Sequence, residues 1–380
     1  MRPNRDRVDV VVVGAGILGL AHAFAAARSG WSVAVFERGP KASGASVRNF
    51  GTIWPIGQPA GAMHQLALRS RQLWLDLLDS GGVPYKASGS IHAAYRDDEV
   101  DVAREFADCA PALGYDCQWL DAESTFARSP AVSPHGLRGA LWSPTELSVD
   151  PRDVASWLPR FLSDRYGVRF HFGTAVTAID LPSVHAGGSR FHADTAIVCC
   201  GDDFETLYPE TIRSAGLTRC KLQMLRTVPQ PNDWQLGPLL ASGLTFQHYA
   251  SFRVCRSLEV LRRRIAEESP ELNRWGIHIL VSQTAAGEIT LGDSHEYGEA
   301  VDVFDKTEID RLILHRAEQF VRVPDWTIAQ RWHGVYAKHP DLPYVSLSPA
   351  AQVRVVTALG GAGMTLSFGL AEQTIRELEL

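Results

Sequence analysis

The stretch Val10-Val11-Val12-Val13-Gly14-Ala15-Gly16-Ile17-Leu18-Gly19 reads as a buried β-strand that turns sharply into a helix. Gly14, Gly16 and Gly19 hold the G-x-G-x-x-G spacing. Gly14 permits the tight turn, Gly16 lets a pyrophosphate approach the backbone, and Gly19 lets the helix pack closely on the sheet. Free N–H groups at the helix start, at Ile17 and Leu18, then face the phosphates. Outward from this turn come an Ala-rich helix to Arg28, the turn Ser29-Gly30 and a second strand from Trp31. That strand ends in Glu37, eighteen residues after Gly19. A carboxylate at this position accepts hydrogen bonds from an adenosine ribose. The glycine triplet alone is weak evidence for a dinucleotide site, and its context strengthens it. The competing reading, a Gly-rich βα turn in another doubly wound domain, leaves Glu37 without a role.

The chain has 380 residues, enough for two domains or one large one. Apolar residues make up 45% and charged residues 21%, ordinary for a globular protein. A net charge of −6 gives no general attraction to nucleic acid or an anionic membrane. The six cysteines, at 109, 117, 199, 200, 220 and 255, form no C-x-x-C pair and no zinc-like spacing. They read as reduced thiols of a cytoplasmic protein, with Cys199 and Cys200 packed in an apolar strand. No metal site is expected. The apolar run Val10 to Ala27 is neither a signal peptide nor a membrane span, because its glycines and the strand that follows account for it.

Beyond Glu37, Arg38-Gly39-Pro40 leads into Ser43-Gly44-Ala45-Ser46-Val47-Arg48-Asn49-Phe50-Gly51, small residues suited to backbone lying against a ligand. Helices are expected over 62–78 and 97–113, and after the Asp121 cap and the Asp150-Pro151 start. Strands are expected over 90–95, 168–172, 174–179, 191–200, 221–228, 244–254, 328–336 and 353–359. A hairpin is expected across Ala286-Gly287, with strands over 277–282 and 288–291. Helices are also expected over 258–268 and 306–320. The last strand runs into Gly360-Gly361-Ala362-Gly363-Met364-Thr365, and a helix from about Leu366 closes the chain. Early α/β alternation and a strand-rich middle predict a parallel-sheet cofactor domain with a mixed-sheet domain inserted twice.

Gly14 to Glu37, Ser43 to Gly51 and the terminal cluster Gly360 to Thr365 are similar to corresponding motifs of one known group. Through them the whole chain resembles the glycine oxidase, D-amino-acid oxidase and sarcosine oxidase superfamily of FAD enzymes. The resemblance implies an α/β Rossmann-like FAD-binding domain of the glutathione-reductase type, with an inserted mixed-sheet (α+β) substrate domain. The implied cofactor domain covers 1–85, 150–220 and 330–380, and the substrate domain 86–149 and 221–329. It selects FAD over NAD, since an NAD dehydrogenase has no need of a second glycine cluster. By the resemblance, Gly14, Gly16 and Gly19 take the pyrophosphate and Glu37 the ribose. Arg38 flanks the adenine, Ser43, Gly44 and Ser46 approach the phosphates, and Arg48, Asn49 and Phe50 reach toward the ring. Val176 offers backbone to the adenine, Gly201 lies near the cofactor, and Gly361, Gly363, Met364 and Thr365 line the pyrimidine side.

Departures from the family pattern bear on the substrate. No cysteine follows Cys255, where sarcosine oxidases attach the flavin, so the resemblance implies non-covalent FAD. The arginine that glycine oxidase-like enzymes carry shortly after a Trp-x-Gly strand is Tyr336 here. The lysine of the sarcosine oxidase terminal motif is Thr365, and the oxygen-activating lysine is Thr290. The usual carboxylate anchors are missing. Gly292-Asp293-Ser294-His295-Glu296-Tyr297 and Arg48-Asn49-Phe50-Gly51 are similar to a bacterial subgroup associated with phosphonate breakdown. That implies a small-molecule amine substrate, an aminophosphonate such as 2-aminoethylphosphonate or its N-methyl form, oxidised at its C–N bond. Candidate donors for the substrate are Arg48, His248, Tyr249, His295, His333, Tyr336 and Lys338; each histidine alone also reads as a satisfied structural residue. Molecular oxygen or another acceptor takes the electrons. The alternatives kept open are a glycine, sarcosine or D-amino-acid oxidase, a flavin monooxygenase and a non-catalytic flavin-binding subunit.

Overall fold

Strand Arg7–Val13 lies in the middle of a sheet, flanked by Val33–Glu37 on one side and Ser189–Val198 on the other, both parallel to it. A computed structural model describes residues 7–378; residues 1–6 and 379–380, the outer ends of the expected cofactor domain, lie outside the described residues. Arg169–Phe172 and Val353–Thr357 extend the parallel run at its two ends. Val10, Val11 and Val12 are fully buried because both faces of this sheet are covered, so the strand is continuously apolar rather than alternating. On one face, helices Ile17–Arg28, Ala62–Asp79 and Gly363–Leu378 pack together, with Phe24 and Trp74 edge-on to Phe368 at 5.7 and 4.7 Å. On the other, the antiparallel strands Val176–Asp180 and Ser183–Ala186 join the start of Ser189–Val198 over a smaller core of Val8, Val11, Phe36 and Val184.

A second, mixed sheet is built on the long strand Thr218–Pro229. Ile328–Lys338 runs antiparallel along one of its sides. Glu288–Gly292 and then Glu296–Gly298 occupy the other. Leu280–Gln283, Leu239–Ser242, Ser90–Ala94, Gly139–Ser143 and Gln118–Asp121 complete it. Helices Asp97–Leu113, Leu258–Glu268 and Thr307–Phe320 close over its core. Arg264 ties two of them together, reaching Asp98 at 2.6 Å and Glu99 at 3.1 Å. No helix among the described residues is long and apolar enough to cross a membrane.

Two element expectations need correction. Leu244 to Val254 is not a strand: it holds two short helical turns, Thr245–His248 and Ala250–Val254. Phe246 and Phe252 are both wholly buried and pack edge-on at 4.9 Å, which an extended strand of alternating faces across the Tyr249 turn would not give. The pairing strand lies just before, at Leu239–Ser242. The closing helix starts at Gly363 rather than Leu366, directly out of the glycine cluster.

Candidate functional site

The ligand-sized opening lies at the carboxyl ends of the parallel strands, the usual place in an open α/β sheet. It is a cleft of about 540 Å³. Gly14, Gly16, Leu18, Glu37 and Arg38 line it from the first βαβ unit, and Ser43, Gly44, Ser46 and Arg48 from the loop that follows. Val176 and Gly201 close the far side, and Val335 and Tyr336 of the second sheet form its floor. Sequence reasoning missed Cys200, Asp203 and Thr206 of this wall. The signal available was their place just beyond a parallel strand's carboxyl end.

The cleft suits a dinucleotide on its own geometry. Helix Ile17–Arg28 begins at Gly16, which has no side chain to cap it, so the first-turn N–H groups beyond Ile17 are left for a ligand. Ser46 Oγ accepts from Ile17 N at 2.8 Å, holding the small-residue loop beside them. Gly14 has φ +98°, and a Cβ there would strike the Cys199 carbonyl. Glu37 is held by Ala15 N at 3.0 Å and Gly39 N at 2.8 Å, one to each carboxylate oxygen. The two ends of the chain meet here: a Cβ built on Gly363 would lie 3.9 Å from Ile17 Cγ2. Gly361 faces Tyr336, its built Cβ 3.7 Å from the phenol oxygen.

Other expected residues sit differently. Met364 and Thr365 are buried in protein. The Met364 carbonyl accepts from Trp74 Nε1 at 2.8 Å, and Thr365 Oγ1 accepts from Trp54 N at 2.9 Å. Neither lines the cleft. Asn49 is spent on its own loop, donating to Ala45 O and accepting from Gly51 N. Phe50 packs its ring toward Gly292 of the second sheet. Arg38 pairs with Asp203 at 2.6 Å, and Arg48 donates to His333 O at 3.1 Å.

A polar cluster occupies the second-sheet side, past Tyr336. Strand alternation puts Trp332, Gly334, Tyr336 and Lys338 on one face and His333 on the other. His333 therefore leaves the group of expected substrate donors. Its Nδ1 meets Asp305 at 2.8 Å, on the side away from the cleft. Lys338 Nζ donates to Tyr297 Oη at 3.2 Å. The rings of His248 and His278 stack at 3.8 Å, and His295 lies 4.7 Å from His248. His278 Nε2 is 3.2 Å from the carboxylate of Asp293, which His295 Nε2 approaches to 3.9 Å. His295 Nδ1 bonds the Gly276 carbonyl at 2.9 Å. Burial holds His248 and His278 well below the ordinary imidazole range, reinforced by their neighbours, and His295 down to about 4. Burial pushes the Asp293 carboxyl up to about 8. Tyr249 closes the cluster against Trp54. The structure brings His248, Tyr249, His295, Tyr336 and Lys338 together. His278 and Asp293 join them, unforeseen as a pair because nothing in their separate sequence contexts links them.

The family described as FAD dependent oxidoreductase (DAO) matches residues 9–376. A glycine oxidase of Geobacillus kaustophilus is 27% identical over 212 residues, 51% of this chain and 55% of that protein. Human mitochondrial sarcosine dehydrogenase is 26% identical over 167 residues, 43% of this chain and 18% of that protein. The mouse mitochondrial pyruvate dehydrogenase phosphatase regulatory subunit is 25% identical over 173 residues, 45% of this chain and 20% of that protein. The chain thus spans about half the length of the first relative and about a fifth of the other two. The crystal structure of the Geobacillus kaustophilus glycine oxidase superposes with a TM-score of 0.77 at 21% identity, covering 98% of this chain and 94% of that one. Iminodiacetate oxidase from Chelativorans superposes with a TM-score of 0.69 at 18% identity, covering 97% and 95%. The L-α-glycerophosphate oxidase of Mycoplasma pneumoniae, crystallised with FAD bound, gives 0.76 at 17% identity, covering 98% and 95%. These likenesses are of fold. With a family match across almost its whole length, the chain belongs to the FAD dependent oxidoreductase (DAO) family.

Proposed function

We propose that the protein oxidises the C–N bond of a small amine that carries a phosphonate group, 2-aminoethylphosphonate or its N-methyl derivative. Relatives named for glycine, sarcosine and iminodiacetate support a small amine. The observation that carries the phosphonate is the donor set at the end of the cleft. It consists of single donors, the imidazole of His248, the phenols of Tyr249, Tyr297 and Tyr336 and the ammonium of Lys338; the Arg48 guanidinium, which also lines the cleft, donates to the His333 carbonyl. A planar carboxylate is matched by the two-pronged fork of an arginine. A tetrahedral anion with three oxygens is matched by separate donors approaching from different directions.

FAD, when bound, supplies the two-electron acceptor. Glu37 would hold its ribose and the first-turn N–H group at Leu18 its pyrophosphate, with Ser46, which accepts from Ile17 N, and Gly44 alongside. Attachment is read as non-covalent, as the resemblance implies, because no cysteine follows Cys255. The chain's own task is placement. Lys338 and Tyr297 hold the anion end, and the aromatic wall of Phe50, Trp54 and Tyr249 excludes water around the reacting carbon. The resulting imine hydrolyses to an aldehyde and an amine. On this reading the cofactor domain follows the parallel sheet and the substrate domain the mixed sheet, with strand Ile328–Lys338 in the latter.

The test is anaerobic mixing of the FAD-loaded protein with 2-aminoethylphosphonate, its N-methyl form, sarcosine, glycine and D-alanine. Bleaching of the flavin band by an aminophosphonate is the expected result. Bleaching only by glycine, sarcosine or D-alanine overturns the phosphonate and leaves an amino-acid oxidase. A second reading, a flavin-holding subunit without turnover, is favoured by the match to the phosphatase regulatory subunit. It expects no bleaching by any of them.

A further inference from the structure

We propose that His248, His278 and His295 form a binding site for a divalent transition-metal cation beside the anion end of the substrate pocket. The three come from separate elements. His248 ends the helical turn Thr245–His248, His278 precedes strand Leu280–Gln283, and His295 bridges strands Glu288–Gly292 and Glu296–Gly298. Yet one ring nitrogen from each lies within 4.8 Å of the other two.

The outer contacts of the rings are those of metal-binding imidazoles, which hand one nitrogen to a carbonyl or carboxylate and keep the other for the ion. His295 gives Nδ1 to the Gly276 carbonyl, leaving Nε2. His278 turns Nε2 toward Asp293 at 3.2 Å, and its Nδ1 is buried with no hydrogen-bond partner. Buried polar atoms without partners are rare in native proteins and call for an explanation such as an ion. His248 retains partial exposure and so marks the way in.

All-imidazole ligation selects Zn²⁺, Cu²⁺, Ni²⁺ or Fe²⁺ over Mg²⁺ and Ca²⁺. Nitrogens bound to a tetrahedral zinc at 2.0–2.1 Å sit about 3.4 Å apart, so the nitrogens close by up to about 1.4 Å and the His248 and His278 rings, stacked at 3.8 Å, rotate out of their stack to aim their in-plane lone pairs at one point. Three protein ligands leave one position open. That position gives the ion a role. A phosphonate carries up to two negative charges, and Lys338, bonded to Tyr297 beside His295, supplies one positive charge. A divalent ion supplies the remaining positive charge and takes a phosphonate oxygen. This role rests on the aminophosphonate reading; binding of the ion does not.

The test uses the FAD-loaded protein, stripped with a chelator and titrated with ZnCl₂ in a calorimeter without substrate, with bound metal counted by mass spectrometry. The expected result is one Zn²⁺ per chain, weakened by more than about 100-fold in His295→Gln and in His248→Ala. Flavin absorbance and thermal unfolding of the stripped variants check that each is folded. His248→Ala, at the exposed edge of the site, serves where a buried substitution fails to fold. Absence of saturable binding, or binding equally tight in both folded variants, overturns the site. Zn²⁺ that binds and lowers the KM for an aminophosphonate but not for sarcosine upholds the role as well. Zn²⁺ that binds in a protein which oxidises no aminophosphonate upholds the site and removes only the substrate reading.

Discussion

Glu37 is oriented before any ribose arrives, because Ala15 N and Gly39 N each hold one of its oxygens. Glu37→Ala removes both anchors and the ribose acceptor. Hydrogen bonds to a charged group contribute about 1.5–3 kcal/mol, so FAD should bind roughly 10- to 100-fold more weakly. Glu37→Gln, with one acceptor oxygen, should fall between. Flavin fluorescence titration of the stripped protein reads both, and unchanged affinity in Glu37→Ala would remove the ribose role. His22 gives a pH prediction. It is wholly buried, its Nδ1 bonds the Leu18 carbonyl at 2.7 Å, and burial lowers it from 6.5 to about 4. The unfolded chain binds this proton first, so the His22 contribution is complete above pH 6.5, declines as pH falls toward 4 and then levels off. Between pH 7 and 5 the loss from this one group is about 2 kcal/mol. Urea unfolding of His22→Gln should show a correspondingly smaller drop over that interval, and an identical drop would refute the assignment. His92, pushed down to about 3 by burial, adds a parallel loss in both proteins and cancels in the comparison. Glycines and Glu37 were legible in the sequence because a βα turn is a local object whose chemistry travels with its spacing. The pairing of His278 with Asp293 was not, since the two lie in separate segments and only strand pairing makes them neighbours.

At the scale of elements, the helix Pro151–Tyr166 illustrates how a signal readable from two residues also acts at a distance. Asp150 caps it, accepting from Arg152 N at 2.9 Å. Arg152 in turn reaches back to Asp150 and across to Glu288 of the second sheet, each at 2.6 Å. Asp150→Ala removes the cap and loosens the cross-sheet link. A loss of about 1–2 kcal/mol in urea unfolding is expected, with Asp150→Asn losing much less because asparagine also caps. Equal losses in the two variants would assign the effect to the ion pair instead. The Asp-Pro start was plain in sequence, whereas the segment 244–254 was not. Its apolar residues fit strand and helix patterns alike over so short a run, and the choice was made by Phe252 packing on both Phe246 and Phe106 in the core. Gln118–Asp121 was similarly silent, because a four-residue edge strand exists only through its partner Gly139–Ser143.

Across the whole molecule, sequence ends far apart are bound into one assembly at the cleft. The helix that follows the first glycine cluster packs on the helix that follows the last. The second of these is pinned by Trp74 to the Met364 carbonyl and by Trp54 N to Thr365 Oγ1. The remote half of the mixed sheet, Ser90–Ala94 against Gly139–Ser143, packs on the Phe106 and Ile91 side of that sheet's core and lines no part of the cleft. FAD contacts should therefore stabilise one set of segments and leave the other alone. A ligand present at a hundred times its Kd adds about 2.7 kcal/mol to the folded state. Openings that expose the cleft but fall short of global unfolding should be suppressed by about that amount. Hydrogen exchange of FAD-loaded and stripped protein should accordingly differ at residues 14–20, 43–50 and 360–366 together, by roughly 100-fold in protection. Strands Ser90–Ala94 and Gly139–Ser143 should exchange alike in both forms. Protection confined to residues 14–20, with 360–366 unchanged, would mean that the terminal glycine cluster does not meet the cofactor, and the convergence of the two chain ends would be structural only.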